Sequence, residues 1–197
     1  GIGCEECHGP GSAHTYMEKP DKESIILDTK GERCGKCHQR SGMDIPPLAS
    51  NGFIRHHEQF NELSTGPHAG TDCVECHNPH KRAINVKAKC TDCHDDAKFI
   101  AQAKTIHGKS DVTCVNCHMP KATKSAIKTG KFAGDTRSHL VKINVDPMAN
   151  MFKPGMLKGK AVTFAEGFVT LDFACLNCHG ARDKQWAAKN AKGYHDK

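Results

Sequence analysis

The hydrophobic positions of this chain form only short patterns, separated by polar stretches. In FIRHHEQFNEL, residues 53–63, apolar side chains recur at roughly helical spacing, which predicts one short helix. The run KAVTFAEGFVTLDF, residues 160–173, has apolar positions on both sides of a Glu-Gly turn, which predicts a small β-hairpin, with a helix as the alternative. Further helices are predicted within residues 90–107 and 175–195.

The composition leaves little material for a core made of protein alone. Of the 197 residues, 37% are hydrophobic and 6% are aromatic, so apolar side chains could not stabilise the whole length by burial. No apolar run reaches about 18 residues, and no transmembrane segment is predicted. The chain begins at Gly1, which we interpret as a mature product whose export signal has been removed.

All 12 cysteines belong to one pentapeptide, Cys-x-x-Cys-His, which occurs six times. On a helical turn, cysteines at positions i and i+3 and a histidine at i+4 share one face. Two thiols can then bond the two vinyl groups of a porphyrin while the imidazole binds its iron, which is typical of c-type haem attachment. The motifs, called sites 1 to 6, are CEECH (4–8), CGKCH (34–38), CVECH (73–77), CTDCH (90–94), CVNCH (114–118) and CLNCH (175–179).

Other uses of paired cysteines explain this pattern poorly. Zinc sites can use Cys-x-x-Cys pairs, but zinc gives no reason for a histidine after every second cysteine. A thioredoxin-like redox motif occurs once, near a βαβ pattern, and does not recur along a polar chain. A disulfide framework has no use for the fixed histidine either.

The sequence therefore predicts six covalently bound haem c groups, each with one proximal histidine. The predicted thioether cysteines are Cys4, Cys7, Cys34, Cys37, Cys73, Cys76, Cys90, Cys93, Cys114, Cys117, Cys175 and Cys178. The predicted proximal iron ligands are His8, His38, His77, His94, His118 and His179.

Six porphyrins would supply the apolar mass that the side chains lack. The predicted fold class is mostly irregular and α-helical with little β structure, organised around stacked haems, with short helices, loops and one small β-hairpin. We expect one continuous hexahaem cytochrome c domain over residues 1–197. The formal charge of +6 is offset by haem propionates, and no basic patch with interleaved aromatic residues predicts a nucleic-acid partner.

Eight histidines lie outside the motifs, enough for a second imidazole on every iron. Their placement supports this use, since His68 and His107 lie five and seven residues before the next motif and His80 lies three residues after His77. Methionine ligation would raise the reduction potential, but the supply of histidine makes it unnecessary. We therefore expect low-potential haems with histidine on both faces.

Two histidine positions need a choice. Of His56 and His57 we expect only one to bind iron, because consecutive helical residues point about 100° apart. His57 shares a face with Phe53 and Phe60, and it is the predicted ligand. His195 is treated as a spare, or as a ligand to a neighbouring subunit.

Several motifs resemble known multihaem cytochromes. CEECHGPGSAH resembles the first-haem signature of cytochromes akin to the tetrahaem cytochrome of ammonia oxidation, and CHMP followed by Ser138–His139 resembles pentahaem nitrite reductases and their octahaem relatives. HHEQFNELSTGPH leading to CVECHNPH, and the LDFACLNCH segment, resemble subunits of extracellular cytochrome filaments of metal-reducing microbes. The chain departs from the nitrite reductases because it has no Cys-x-x-Cys-Lys motif. Hydroxylamine-oxidising relatives modify the catalytic haem with a tyrosine, and only Tyr16 and Tyr194 occur here.

The resemblance implies that His14, His68, His107 and His139 are distal ligands, and that His14 reaches a haem other than its own. Together with the choices above, the predicted distal set is His14, His57, His68, His80, His107 and His139.

The predicted function is electron transfer along a closely packed chain of six haems, without catalysis. The histidine surplus favours this function, because a catalytic haem needs an open iron position. One form of the hypothesis is a polymerising filament subunit, whose partners are other copies of itself or other cytochromes, and extracellular electron acceptors. Since c-type haem is attached outside the cytoplasm, the predicted location is the extracellular space or cell surface, with the periplasm as the alternative.

Three alternatives stay open. One is an oxidoreductase that acts on small nitrogen or sulfur oxyanions at a five-coordinate haem. The second is a monomeric periplasmic electron shuttle, and the third is a haem-bearing module of a larger membrane-anchored reductase.

Overall fold

The computed structural model describes residues 2–82, 85–100 and 107–196. It consists of short helices, loops and a small mixed sheet, in agreement with the predicted fold class, while the stacking of haems stays a prediction. The α-helices are Cys4–His8 (α1), Ser12–Tyr16 (α2), Gly31–Gly35 (α3), Gln59–Thr65 (α4), Cys73–Cys76 (α5), Ala97–Ile100 (α6), Cys114–His118 (α7) and Lys184–Ala191 (α8). Single 3₁₀ turns cover Cys90–Asp92, Gly108–Ser110 and Tyr194–Asp196, and a π-helical turn covers Asp172–Leu176.

The sheet has five strands in the order β3-β2-β1-β6-β5. All neighbouring pairs are antiparallel except β2 and β3, which run parallel. A separate parallel pair joins β4 and β7. The strands are Leu48–Ser50 (β1), Phe53–Arg55 (β2), Thr123–Lys124 (β3), Ile143–Asn144 (β4), Phe152–Leu157 (β5), Lys160–Ala165 (β6) and Val169–Thr170 (β7).

The predicted β-hairpin exists, but its position was wrong. Strand β6 pairs with β5 before it and not with residues 168–173 after it. The connecting residues Lys158 and Gly159 have φ values of 50° and 75°, as a two-residue hairpin turn of type I′ requires. The Pro and Gly residues of β5 suggested a loop in the sequence. However, β5 is an edge strand, and an edge strand tolerates Pro154, which lacks a backbone N–H, because no further strand pairs with it on its outer side.

The predicted long helices are shorter in the structure. Within 90–107, a 3₁₀ turn and α6 are separated, and residues 101–106 lie outside the described part of the chain. Within 175–195, the helix begins only at Lys184, because the Asp183 side chain accepts a hydrogen bond of 2.8 Å from the Trp186 N–H and caps it.

The apolar core lies in the sheet-bearing part of the molecule. One cluster gathers Phe53, Ile54, Leu140, Met151 and Val169, among others. In contrast, no buried residue occurs at 2–30, and the described residues between positions 63 and 119 contain none either. Sites 1, 3, 4 and 5 therefore lie outside the protein core, where a bound porphyrin would supply the missing apolar contacts.

Asp135 organises the loop after β3. Its carboxylate accepts hydrogen bonds from the backbone N–H groups of Ser125 (2.7 Å), Ala126 (2.8 Å) and Ile127 (3.1 Å). These bonds, the one from Ser125 first, hold the pKa of Asp135 well below its usual range.

Replacing Asp135 with asparagine is expected to lower the unfolding temperature at about pH 7. Because the folded pKa is depressed, the stabilisation by the carboxylate is fully present above the unfolded pKa and disappears as the pH falls through the folded pKa. Thermal unfolding of both proteins at neutral and strongly acidic pH measures this. An equal difference at both pH values would contradict the assignment.

Candidate haem-binding sites

Each Cys-x-x-Cys-His motif forms a single helical turn. At sites 2, 3, 4 and 6 the backbone N–H of the histidine donates to the carbonyl of the first cysteine at 2.9, 2.9, 2.9 and 3.0 Å. All 12 cysteines lie in the described part of the chain as free thiols, and none is fully buried. The turn thus presents two thiols and one imidazole together, as covalent haem attachment requires.

Each motif histidine faces a second histidine ring at nearly the same separation. The ring-centroid distances are 5.8 Å for His8–His80, 6.0 Å for His38–His57, 6.2 Å for His77–His139, 6.0 Å for His68–His94, 6.0 Å for His118–His195 and 5.9 Å for His107–His179. An imidazole nitrogen binds a metal at about 2 Å, so two rings on opposite sides of one ion have centroids about 6 Å apart. The residues present therefore fit an iron ligated by histidine on both faces.

Five of the six predicted distal histidines lie opposite a motif histidine. These are His57, His68, His80, His107 and His139. The ligand roles of these histidines and of the motif residues stay predictions, which the ring geometry supports.

His14 and His195 differ from their predicted roles. Within the described ranges no motif histidine lies against His14, whose Nδ1 lies 2.8 Å from Ser24 Oγ and 3.0 Å from the Asp21 carbonyl. His195, treated as a spare, instead lies opposite His118 with the rings 19° from parallel. No local sequence signal points to this pair, because the two histidines lie 77 positions apart. A contact with Phe99, at 5.1 Å between ring centroids, also holds His195.

The choice of His57 over His56 agrees with the geometry. His57 faces His38, and its φ of 61° turns the two adjacent histidines in different directions. His56 contacts Arg40 and lies 3.3 Å from Ser125 Oγ. Burial, and next the Arg40 charge, lower the pKa of His56.

Several of the paired histidines are oriented through their Nδ1 atoms. His8 Nδ1 lies 2.8 Å from the Ile26 carbonyl, and His118 Nδ1 lies 2.8 Å from the Val141 carbonyl. His107 Nδ1 lies 2.8 Å from the Tyr194 hydroxyl. A carbonyl partner requires N–H at Nδ1, so in His8 and His118 the other ring nitrogen, Nε2, is left to bind metal.

The sites are neighbours in a defined order. Burial first, and next the nearby Cys34 thiol, raise the pKa of Cys73 to about 11, so sites 2 and 3 adjoin. Burial first, and next the nearby Cys114 thiol, raise the pKa of Cys90, and the Cys76 thiol raises it further. Site 4 is therefore close to site 5, which contains Cys114, and to site 3, which contains Cys76. Burial, and then the neighbouring Cys178, raise the pKa of Cys117. Sites 2 to 6 therefore follow one another in chain order.

Site 1 joins this row at site 3. Its facing histidine, His80, follows His77 of site 3 by three residues. A hydrogen bond from backbone to side chain also ties site 2 to site 3, since the Gly31 N–H donates to Asp72 Oδ1 at 2.8 Å. Site 3 is thus adjacent to sites 1, 2 and 4, and it is a branch point.

Two fully buried carboxylates lie beside paired histidines at the start of α4. Glu58 directly follows His57, and burial raises the pKa of Glu58 to about 7. Glu62 lies one helical turn later, next to His139, where its Oε2 accepts from the His139 backbone N–H at 2.5 Å. Neither carboxylate was predicted from the sequence, although their i, i+4 spacing after a histidine pair was visible.

In the described part of the chain, no helix has the length and apolar character needed to cross a membrane.

Comparison with known proteins supports a multihaem cytochrome. A model of the class III cytochrome c family matches residues 49–137, which include sites 3, 4 and 5. The chain is 29% identical over 259 aligned residues to the dissimilatory sulfite reductase MccA of Wolinella succinogenes, which covers 99% of this chain and 35% of that protein. It is also 26% identical to the C-type polyheme cytochrome OmcB of Geobacter sulfurreducens, over 60% of this chain and 15% of that protein.

The fold agrees with a solved structure. The octahaem sulfite reductase MccA of Wolinella succinogenes, form II, aligns with a TM-score of 0.69 and 21% identity, covering 98% of this chain and 41% of that one. The chain thus spans well under half the length of these relatives. The comparisons support haem c as cofactor, while the count of six rests on the motifs of this chain.

The prediction that the chain is not an enzyme is wrong, because the similarity over almost its whole length is to a dissimilatory sulfite reductase. The prediction rested on the histidine surplus. Haems that deliver electrons inside an enzyme need two histidines just as those of a carrier do, so this surplus cannot separate the two classes of protein.

Proposed function

We propose that this multihaem c-type cytochrome works in an oxidoreductase that reduces small sulfur or nitrogen oxyanions, and that its residues 1–197 form one hexahaem unit that conducts the electrons. The observation that carries the electron-transfer part is the set of six histidine pairs with centroids 5.8 to 6.2 Å apart. The similarity to a sulfite reductase supports the oxyanion as the final acceptor.

The residues around each site favour electron transfer. Bound haem c supplies a one-electron ferric–ferrous couple. The two imidazoles of each pair would hold its iron, and ligation by two histidines favours a low potential. Carbonyl partners such as Ile26 and Val141 fix the orientation of the motif histidines, so that little rearrangement accompanies electron transfer.

The order of the sites supports a directed route. Cysteines of successive sites from 2 to 6 are close neighbours, and site 1 adjoins site 3. Electrons that enter at site 1 or site 2 would meet at site 3 and continue through sites 4 and 5 to site 6. Reduction of the oxyanion itself requires an iron whose sixth position is open, so at one of the six sites the facing histidine would have to give way to the oxyanion.

The test uses the purified, haem-loaded protein. Its haems are first reduced with a stoichiometric amount of a reduced dye. Sulfite or nitrite is then added in separate experiments, and the visible absorption of ferrous haem reports reoxidation. Reoxidation by at least one of them, with sulfate as the inert control, is expected. Failure of both anions to reoxidise the haems, while a soluble ferric chelate does so, would reject the oxyanion part and leave a conductor of electrons to other acceptors.

A filament subunit is the second candidate, and one observation favours it. Among the described residues His14 faces no motif histidine and its Nδ1 is held by Ser24, so Nε2 is available to a neighbouring copy, where it would have to replace one of the six facing histidines. Such a filament would carry electrons to external acceptors at the cell surface, whereas the oxidoreductase is expected in the periplasm. Filaments in electron micrographs of the purified protein that disappear in His14→Ala would support this candidate. A monodisperse monomer at high concentration would reject it.

A further inference from the structure

Glu62 is a fully buried carboxylate between the sheet and site 3. Its side chain is 0% exposed, and Oε1 accepts a hydrogen bond of 2.9 Å from Thr123 Oγ1 of β3. Its Oε2 accepts from the His139 backbone N–H at 2.5 Å and lies 3.7 Å from His139 Nδ1. One carboxylate thus holds both the backbone and the ring of His139 in place.

The contact between Glu62 and the His139 ring is electrostatic. At 3.7 Å it is too long for a hydrogen bond, yet short enough for a strong interaction between charges in a medium that excludes water. Among the ion pairs of the described residues, Glu62 pairs with His139 and with no lysine or arginine. A buried negative charge without a cation is costly, so a positive charge next to the ring would compensate it.

Site 3 is where that positive charge would lie. His139 faces His77 with ring centroids 6.2 Å apart, and iron between two neutral imidazoles gains one positive charge when it is oxidised. A carboxylate that remains negative favours the oxidised state of that iron over the reduced state. The Glu62 charge is therefore placed to lower the reduction potential of one site.

We infer that Glu62 is a positioning residue that lowers the reduction potential of site 3, the site where the paths from sites 1 and 2 meet. A low potential at the junction makes electrons leave it readily toward site 4, so none is stored there. The inference rests on the proposed haem ligation, but not on the identity of the final acceptor.

The test compares reduction potentials in the haem-loaded protein. Glu62→Gln keeps the shape of the side chain and removes the charge, and the amide can still accept from His139 N–H and donate to Thr123 Oγ1. In the redox titration, the reduction potential of one haem component is expected to rise by about 59 mV, which is a tenfold change in the equilibrium constant of a one-electron couple. His139→Met identifies the component, because methionine ligation raises the potential of the same site.

The matched control is Glu75→Gln. Glu75 belongs to the motif of site 3 itself but is exposed, so water and salt screen its charge, and this variant is expected to shift the same component far less. Glu62→Asp keeps the charge farther from His139 and is expected to give an intermediate shift with low-spin spectra. If the Glu62→Gln protein fails to bind haem, the shift in reduction potential of Glu62→Asp tests the inference instead.

A purely structural role for Glu62 predicts different results. It would lower the stability of the Gln variant but leave all six potentials unchanged, and this outcome would overturn the inference. Equal shifts in Glu62→Gln and Glu75→Gln would overturn it as well. Neither measurement involves an oxyanion, so a failure here is distinguishable from a failure of the proposed reductase activity.

Discussion

Replacing His195 with alanine is expected to convert one of six low-spin haems to a high-spin, five-coordinate form. The reason is that His195 lies opposite His118 at 6.0 Å, with rings only 19° from parallel, and is the only histidine so placed at site 5 among the described residues. Electron paramagnetic resonance of the oxidised protein would show a new high-spin signal. Carbon monoxide would then bind one ferrous haem per chain.

The matched control for this experiment is His14→Ala. Sequence motifs predicted His14 as a ligand, but in the structure it bonds Ser24 and Asp21 and faces no motif histidine. The purified monomer of this variant is expected to keep all its haems low-spin. The reverse outcome, a high-spin signal in His14→Ala and none in His195→Ala, would mean that the sequence resemblance assigned the sixth ligand correctly and the ring geometry did not.

Replacing Gly167 with alanine is expected to destabilise the fold strongly. A Cβ at this position would overlap the Thr65 carbonyl oxygen and lie 3.0 Å from the Thr65 carbonyl carbon, at the end of α4. Both are backbone atoms, so the loop after β6 or the helix must move. The expected loss in free energy of unfolding is about 3 kcal/mol, measured by chemical denaturation of the haem-loaded protein.

Gly180→Ala is the control for that prediction. Its Cβ would meet the Leu176 carbonyl oxygen at 3.6 Å, an ordinary contact, and little change in stability is expected. If both variants lost the same stability, the general cost of removing a glycine, and not the packing of the loop on α4, would explain the result.

The haem-attachment sites could be predicted from the sequence because their chemistry is local. A single helical turn holds both cysteines and the proximal histidine, so no knowledge of the tertiary fold is needed. The distal histidines close to a motif, His68, His80 and His107, were predicted for the same reason. His195 was not, since its pairing with His118 depends on how the segment after α8 returns to site 5.

The sheet was harder to predict than the sites. The pairing of β6 with β5 depends on a two-residue turn at Lys158–Gly159, while the apolar run after β6 suggested a partner on the other side. That run instead forms β7, which pairs with β4, and then turns into the buried π-helical segment Asp172–Leu176, which overlaps the start of site 6. Apolar pattern alone cannot separate a strand from a short buried helical turn.

The burial of residues around His139 has a consequence for the speed of electron exchange. Ser138 and Leu140, on either side of it, are both 0% exposed, and the His139 N–H is fixed by Glu62. As an iron ligand, a histidine clamped in this way would shift very little when the oxidation state changes, so a small reorganisation energy is expected at site 3. Site 4 draws its facing histidine, His68, from a partly exposed loop, so a larger reorganisation energy and slower electron exchange are expected at site 4 than at site 3.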